Sequence, residues 1–258
     1  MIFRSITIIR LSLCTVCIIG LTQMFCNSNP ISSNTGDTSH SKVKQELWTD
    51  TDGAIDYTVQ YKYDSKNRIS RTDEFDDAGL LMYYSIFEYT TFDSIRKIVY
   101  YDKDGSFEDS TTYDYDQNMK KIRENVYFDS DGDGQCDFVI YAIYEYNYMG
   151  KIAKETWLYP PDDTLEWYMV YRYNSNDQLL KTEQYFEYET SNPDEYSTYT
   201  FNNNGRLVRK DNFFVSYNGN TETSGYESYQ YDASGRKSKV IYYDAIESEY
   251  SYLEYMYF

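Results

Sequence analysis

The chain has 258 residues, 42 acidic and 24 basic, for a net charge of −18, and 19% of it is aromatic, with 33 tyrosines. This acidity excludes duplex nucleic acid as the natural partner, because phosphate contacts need basic patches. The aromatic content excludes an acidic disordered chain, which would need low hydrophobicity as well as charge.

In chain order, residues 1–25 read as a signal peptide. Arg4 and Arg10 precede an apolar run from Leu11 to Leu21, which is too short to span a bilayer. Cys26 follows and resembles the lipid-attachment cysteine of bacterial lipoproteins, although Gln23-Met24-Phe25 lacks the small residue that usually precedes it. Cys14 and Cys17 lie inside the signal, so lipidation of Cys26 leaves Cys136 as a single thiol without a structural disulfide. Residues 26–42 are the lipidated cysteine and a flexible tether rich in Ser, Asn, Thr and Gly. The single histidine, His40, lies in the tether, where it reads as a solvated residue. The expected location is the outer membrane or cell surface, or facing the periplasm, with membrane contact only through the anchor.

From 43 to 258 the chain is a repeat domain. Aromatic pairs recur at Tyr61/Tyr63, Phe87/Tyr89, Tyr113/Tyr115, Tyr144/Tyr146, Tyr171/Tyr173, Tyr199/Phe201 and Tyr229/Tyr231, with a truncated copy at Tyr255/Tyr257, spaced 26 to 31 residues apart. Counting from the first aromatic, slots four to seven hold a turn such as Asp64-Ser65-Lys66-Asn67 or Asp232-Ala233-Ser234-Gly235. Slot nine is apolar or Lys, from Ile69 to Lys237. Slot eleven is basic in every copy: Arg71, Lys97, Arg123, Lys154, Lys181, Arg209 and Lys239. Slot fifteen is Tyr, Phe or Leu. All these slots are odd, and a period of two means strand. A three-residue hairpin loop sets slot three opposite slot nine and, by extension, slot one opposite slot eleven. Met119 closes its turn poorly, so that turn is expected to be one residue longer. A second turn, as in Asp76-Asp77-Ala78-Gly79 and Asp102-Lys103-Asp104-Gly105, gives two strands per repeat. The fold class is all-β: an antiparallel up-and-down meander of about sixteen strands, built from tandem β-hairpins and coiled by twist into an open single sheet.

The runs Tyr61-Lys62-Tyr63-Asp64, Phe201-Asn202-Asn203-Asn204-Gly205-Arg206-Leu207 and Tyr229-Gln230-Tyr231-Asp232-Ala233-Ser234-Gly235-Arg236 resemble the YD-repeat family of RHS and teneurin-type proteins. The likeness covers roughly residues 43 to 258 and implies a spiralling sheet in an extracytoplasmic protein. The large shells that enclose a cargo in that family need far more chain than this.

Three features could carry chemistry. Asp129, Asp131, Asp133 and Asp137, with Gly132 and Gly134, resemble a calcium loop, but Ile140 stands where an EF-hand has its bidentate acid. Calcium is therefore the one cofactor with a candidate site, at the ~10⁻⁴–10⁻³ M affinity of extracellular modules, against an ordinary acidic hairpin loop. The slot-eleven cations read mainly as scaffold, each stacked on a slot-one Tyr and paired with acids such as Asp73, Glu183 or Asp211. Trp157, Tyr159, Trp167 and Tyr168, around Pro160-Pro161, depart from the repeat and are the candidate binding aromatics. The repeat region has no histidine for a triad, Cys136 has no partner base, and no phosphate loop occurs. A membrane barrel is disfavoured because neither set of alternate residues forms an uncharged apolar band, and a midplane Lys or Arg costs ~2–4 kcal/mol. The expected role is a non-enzymatic envelope or surface module that binds glycan or protein. A structural envelope protein without a small ligand and a carbohydrate-active enzyme using paired carboxylates are the alternatives.

Overall fold

A computed structural model describes residues 42–129, 133, 135, 138–186, 192–216 and 218–258. Its strands are β1 (Val43–Asp50), β2 (Ile55–Tyr63), β3 (Ile69–Asp76), β4 (Leu81–Tyr89), β5 (Ile95–Asp102), β6 (Phe107–Tyr115), β7 (Lys121–Phe128) and β8 (Phe138–Tyr146). They continue as β9 (Ile152–Tyr159), β10 (Thr164–Tyr173), β11 (Leu179–Tyr185), β12 (Glu195–Phe201), β13 (Leu207–Val215), β14 (Thr221–Tyr231), β15 (Lys237–Tyr243) and β16 (Glu249–Tyr257). Each strand pairs antiparallel with its sequence neighbours, so the meander stands. The open sheet does not: β1 also pairs with β16, from Val43↔Tyr257 to Asp50↔Ser251, and the sheet is a closed barrel. The segment 43–50, ahead of the first aromatic pair, and the truncated copy at Tyr255/Tyr257 complete one another as a hairpin without a turn. Closure removes both exposed edges, which an open ribbon would leave unpaired.

The chain enters β1 at one end of the barrel, the entry end, which carries the Asp64-type turns; the Asp76-type turns lie at the far end. In the first entry-end turn the Asn67 N–H donates to the Asp64 carbonyl at 3.0 Å, and the Asp64 carboxylate accepts from the N–H groups of Lys66 (2.8 Å) and Arg68 (2.9 Å). The closing residue of these turns has φ between 61° and 79°. Met119 adopts φ 62° in a turn of the same length, its N–H bonded to the Asp116 carbonyl at 3.0 Å, so the expected longer turn is corrected: pairing around it outweighs the side-chain preference.

Slot three does face slot nine, as in Tyr63↔Ile69 and Tyr231↔Lys237. Slot one does not face slot eleven. A bulge at Ser70, and at the equivalent residue of the other entry-end hairpins, pairs Lys62 with Arg71 and Tyr61 with Thr72. The bulge flips the side-chain phase, so Tyr61 and Arg71 project to opposite faces. Slots one, three, nine, twelve and fourteen point inward; slots eleven, thirteen and fifteen point outward. Inward contacts converge across non-adjacent strands, with Glu46 on β1 sensing Lys237 on β15 and Glu74 on β3, which marks this face as the concave one.

The bulge explains the conserved spacing of cation and aromatic within the chain's own repeats. On the outside, slot-eleven cations other than Lys97 stack on a tyrosine of the following strand, as in Arg71 on Tyr84 (3.8 Å), Lys181 on Tyr196 (4.2 Å) and Arg209 on Tyr226 (3.6 Å). That ring stacks in turn on slot fifteen, as in Tyr84–Tyr101 (5.0 Å), Tyr196–Phe213 (4.6 Å) and Tyr226–Tyr243 (4.3 Å). The stacking partner is thus not the slot-one Tyr, but the acids are those expected: Asp73 pairs with Lys62 and Arg71, Glu183 with Arg172 and Lys181, and Asp211 with Arg209. Inside the entry end, Tyr63, Tyr89, Tyr115, Tyr146, Tyr173, Tyr231 and Tyr257 each donate to a carbonyl of the preceding strand at 2.6–2.9 Å. Cations such as Arg68 and Arg236 lie over these rings at 4.2 and 4.4 Å.

Candidate functional site

The inward face changes character along the barrel. In its middle, Tyr61, Phe87, Tyr113, Tyr144 and Tyr255 are buried. Charged groups among them are partnered: Lys121 Nζ lies 2.8 Å from Glu124, which also accepts from the Tyr144 hydroxyl at 2.8 Å. Tyr171 donates to Glu155 at 2.9 Å, and Lys210 pairs with Glu227 at 2.7 Å. Glu46 is less well served. Its carboxyl faces Tyr61, whose hydroxyl makes no hydrogen bond of full geometry, and burial pushes the carboxyl up to about 7 despite Tyr61 and Lys237.

Toward the far end, slot fourteen and its cross-strand partners form a single inward ring, one directly opposed pair per hairpin. Its pairs are Trp48↔Tyr57, Glu74↔Tyr83, Tyr100↔Asp109, Val126↔Ile140, Trp157↔Trp167, Gln184↔Glu195, Asn212↔Gly225 and Tyr242↔Ser251. All three tryptophans of the chain are in it. They make two platforms. Trp157 and Trp167 stack at 5.4 Å on β9 and β10. Trp48 lies between Tyr57 (5.2 Å) and Tyr242 (5.6 Å) on β1, β2 and β15. In a wall of sixteen strands, β1 and β9 stand opposite, so the platforms face each other across the lumen at one depth. Trp48, Tyr57, Trp157, Trp167 and Tyr242 are half-buried, and Tyr250 beyond them is 53% exposed, so the rings meet solvent from the far mouth.

Carboxylates fill the arcs between the platforms. Asp109 is 6% exposed, its Oδ1 has no hydrogen-bond partner, and burial, with a smaller push from Glu108, raises it to about 7. Burial also raises Glu74 and Glu195. Gly225 belongs to the ring because no other residue fits: its φ is 126° and a Cβ there would lie 2.1 Å from the Tyr243 carbonyl oxygen.

The structure separates the four candidate aromatics. Trp157 and Trp167 come together in the lumen. Tyr159 sits at the end of β9 beside Glu166, and burial raises its hydroxyl to about 12. Tyr168 is outside, stacked on Tyr185 at 4.7 Å under Lys154 at 4.3 Å. Trp48, Tyr57, Tyr242, Glu74, Asp109 and Glu195 were not singled out by the sequence; the signal was the apolar turn of the even slots at Tyr100, Val126, Trp157 and Tyr242. Of the calcium candidates, Asp131 and Asp137 lie outside the described residues, as do Cys26 and Cys136. Asp129 accepts the Asp133 N–H at 3.1 Å, and among the described residues no acid, cysteine or histidine cluster suits a metal.

No protein-family model and no curated protein sequence matches the chain. Among solved structures it is similar to a porin-like protein from Bacteroides uniformis, at 14% identity and a TM-score of 0.54, over 84% of this chain and 98% of that one. A porin-like protein from Bacteroides vulgatus matches at 10% identity and a TM-score of 0.41, over 84% of this chain and 99% of that one. The Photorhabdus luminescens Tc holotoxin pore matches at 15% identity and a TM-score of 0.36, over 76% of this chain, which spans 9% of that one. At such identities the likeness to the Bacteroides uniformis protein is one of fold alone.

Proposed function

We propose that this chain is an exported, lipid-anchored envelope barrel of the YD-repeat type that binds a glycan in its lumen and does not turn it over. One observation supports the reading above others: the chain's three tryptophans all lie on the inward ring, in two stacked platforms on opposite arcs. Flat aromatic faces flanked by polar groups suit a ligand with alternating apolar and hydroxyl surfaces. The signal-like leader, Cys26 and the porin-like fold neighbour all agree with an envelope site. A lipid-spanning pore is a poor reading, because Arg71, Asp73, Arg172, Glu183, Arg209 and Asp211 stand on the outward face. A Cys26→Ser chain is expected to leave the membrane fraction and remain soluble; retention in membranes would contradict the anchor-only arrangement. Tryptophan emission reports directly on the site. Titration with a glycan panel should shift it without product formation, and Trp157→Ala with Trp167→Ala should weaken binding at least tenfold. Turnover, or no response to any glycan, overturns the reading.

A further inference from the structure

We infer that the ligand is a glycan carrying free amino groups, its ammonium held by the ring carboxylates between the two aromatic platforms. The inference rests on the glycan-binding reading and adds the charge of the ligand. Both arcs between the platforms carry acid: Glu74 and Asp109 on one, Glu195 on the other. None of these three is in an ion pair among the described residues. The inward cations Lys121, Lys210 and Lys237 all stand nearer the entry end, and the first two already pair with Glu124 and Glu227. The ring is therefore short of positive charge at the depth where the aromatic faces reach solvent.

Asp109 makes the requirement specific. Its carboxylate is almost wholly buried, yet Oδ1 accepts nothing. A buried acceptor without a donor is costly, and the cost is relieved by whatever brings a donor to it. A sugar hydroxyl supplies a donor alone. An ammonium supplies a donor and the opposite charge, which gives a shorter and stronger bond. The tryptophan and tyrosine faces add attraction for the same cation. An acidic sugar would bring its negative charge against three carboxyls, whereas an ammonium favours their ionised form. The far-end turns, with Asp50, Asp52, Asp76, Asp102 and Asp104 at the mouth, draw cations toward the lumen in the same direction.

The test uses the full chain, with tryptophan emission and calorimetry at pH 7. The probes are a β-1,4-linked glucosamine tetramer, its fully N-acetylated counterpart, and spermidine. The amine tetramer should bind at least tenfold more tightly than the acetylated one, with the gap narrowing as salt is raised. Asp109→Asn, which keeps shape and removes charge, should weaken the amine tetramer at least fivefold and the acetylated one by a smaller factor, and an equal loss for both would contradict the inference; Glu195→Gln, at a more accessible position, should act in the same direction. Equal binding of the two tetramers overturns the inference while leaving the glycan reading in place. Silence from both tetramers overturns the inference, and the glycan reading then falls only if the wider panel is silent too; spermidine binding as tightly as the amine tetramer removes the glycan reading and the inference with it.

Discussion

Asp109 and Glu46 show what a tyrosine-rich lumen does to a carboxylate. Both are buried, and burial raises each to about 7. The folded state therefore holds protons that the unfolded chain has lost. That contribution is complete below the ordinary carboxylate value and disappears as pH rises through about 7, at a cost of order 3 kcal/mol for each group. Asp73 and Glu183 run the other way: burial alone would raise them, but their cations hold them low, so they lose stability as pH falls below the usual carboxylate range. Thermal unfolding should thus be most resistant in mildly acidic buffer, with Glu46→Gln and Asp109→Asn raising the midpoint at pH 8 and flattening the profile between pH 5 and 8. A profile still rising toward pH 8 would contradict this balance. Gly225 is the other residue whose identity is forced. Gly225→Ala should cost about 3 kcal/mol, measurable by urea titration, because neither the φ nor the space admits a Cβ.

The structural element is a hairpin with a bulge just past its turn, and the bulge separates what was legible in the sequence from what was not. Strands, turns and the pairing of Tyr63 with Ile69 follow from alternation and turn chemistry, which are local. The partners of Arg71 do not. One unpaired residue, Ser70, reverses every later side chain, and Ser70, Ile122 and Leu180 share no chemistry that would mark the position. Trp157 was legible as an outlier, but its matching with Trp48 across the lumen required closure, which no single repeat encodes. The outward rungs carry a prediction of their own. Arg71→Ala removes a cation from both the Tyr84 face and the buried Asp73, which keeps Lys62 at 2.6 Å. The loss should be about 1–2 kcal/mol by chemical denaturation, and a double-mutant cycle with Tyr84→Leu should show coupling of ~0.5–1 kcal/mol. Zero coupling would mean the ring and the cation are independent.

At the scale of the molecule, closure joins the first and last strands, encloses the inward slots as a lumen and sets the tryptophan platforms opposite one another. An open ribbon of the same hairpins would have no lumen and no site. Amide hydrogen exchange measures the difference directly. With β1 paired to both β2 and β16, the amides of β1 and β16 should be protected to the same extent as those of β8 and β9. Fast exchange at alternate amides along β1 and β16, the signature of two free edges, would contradict the barrel and the ligand site that depends on it.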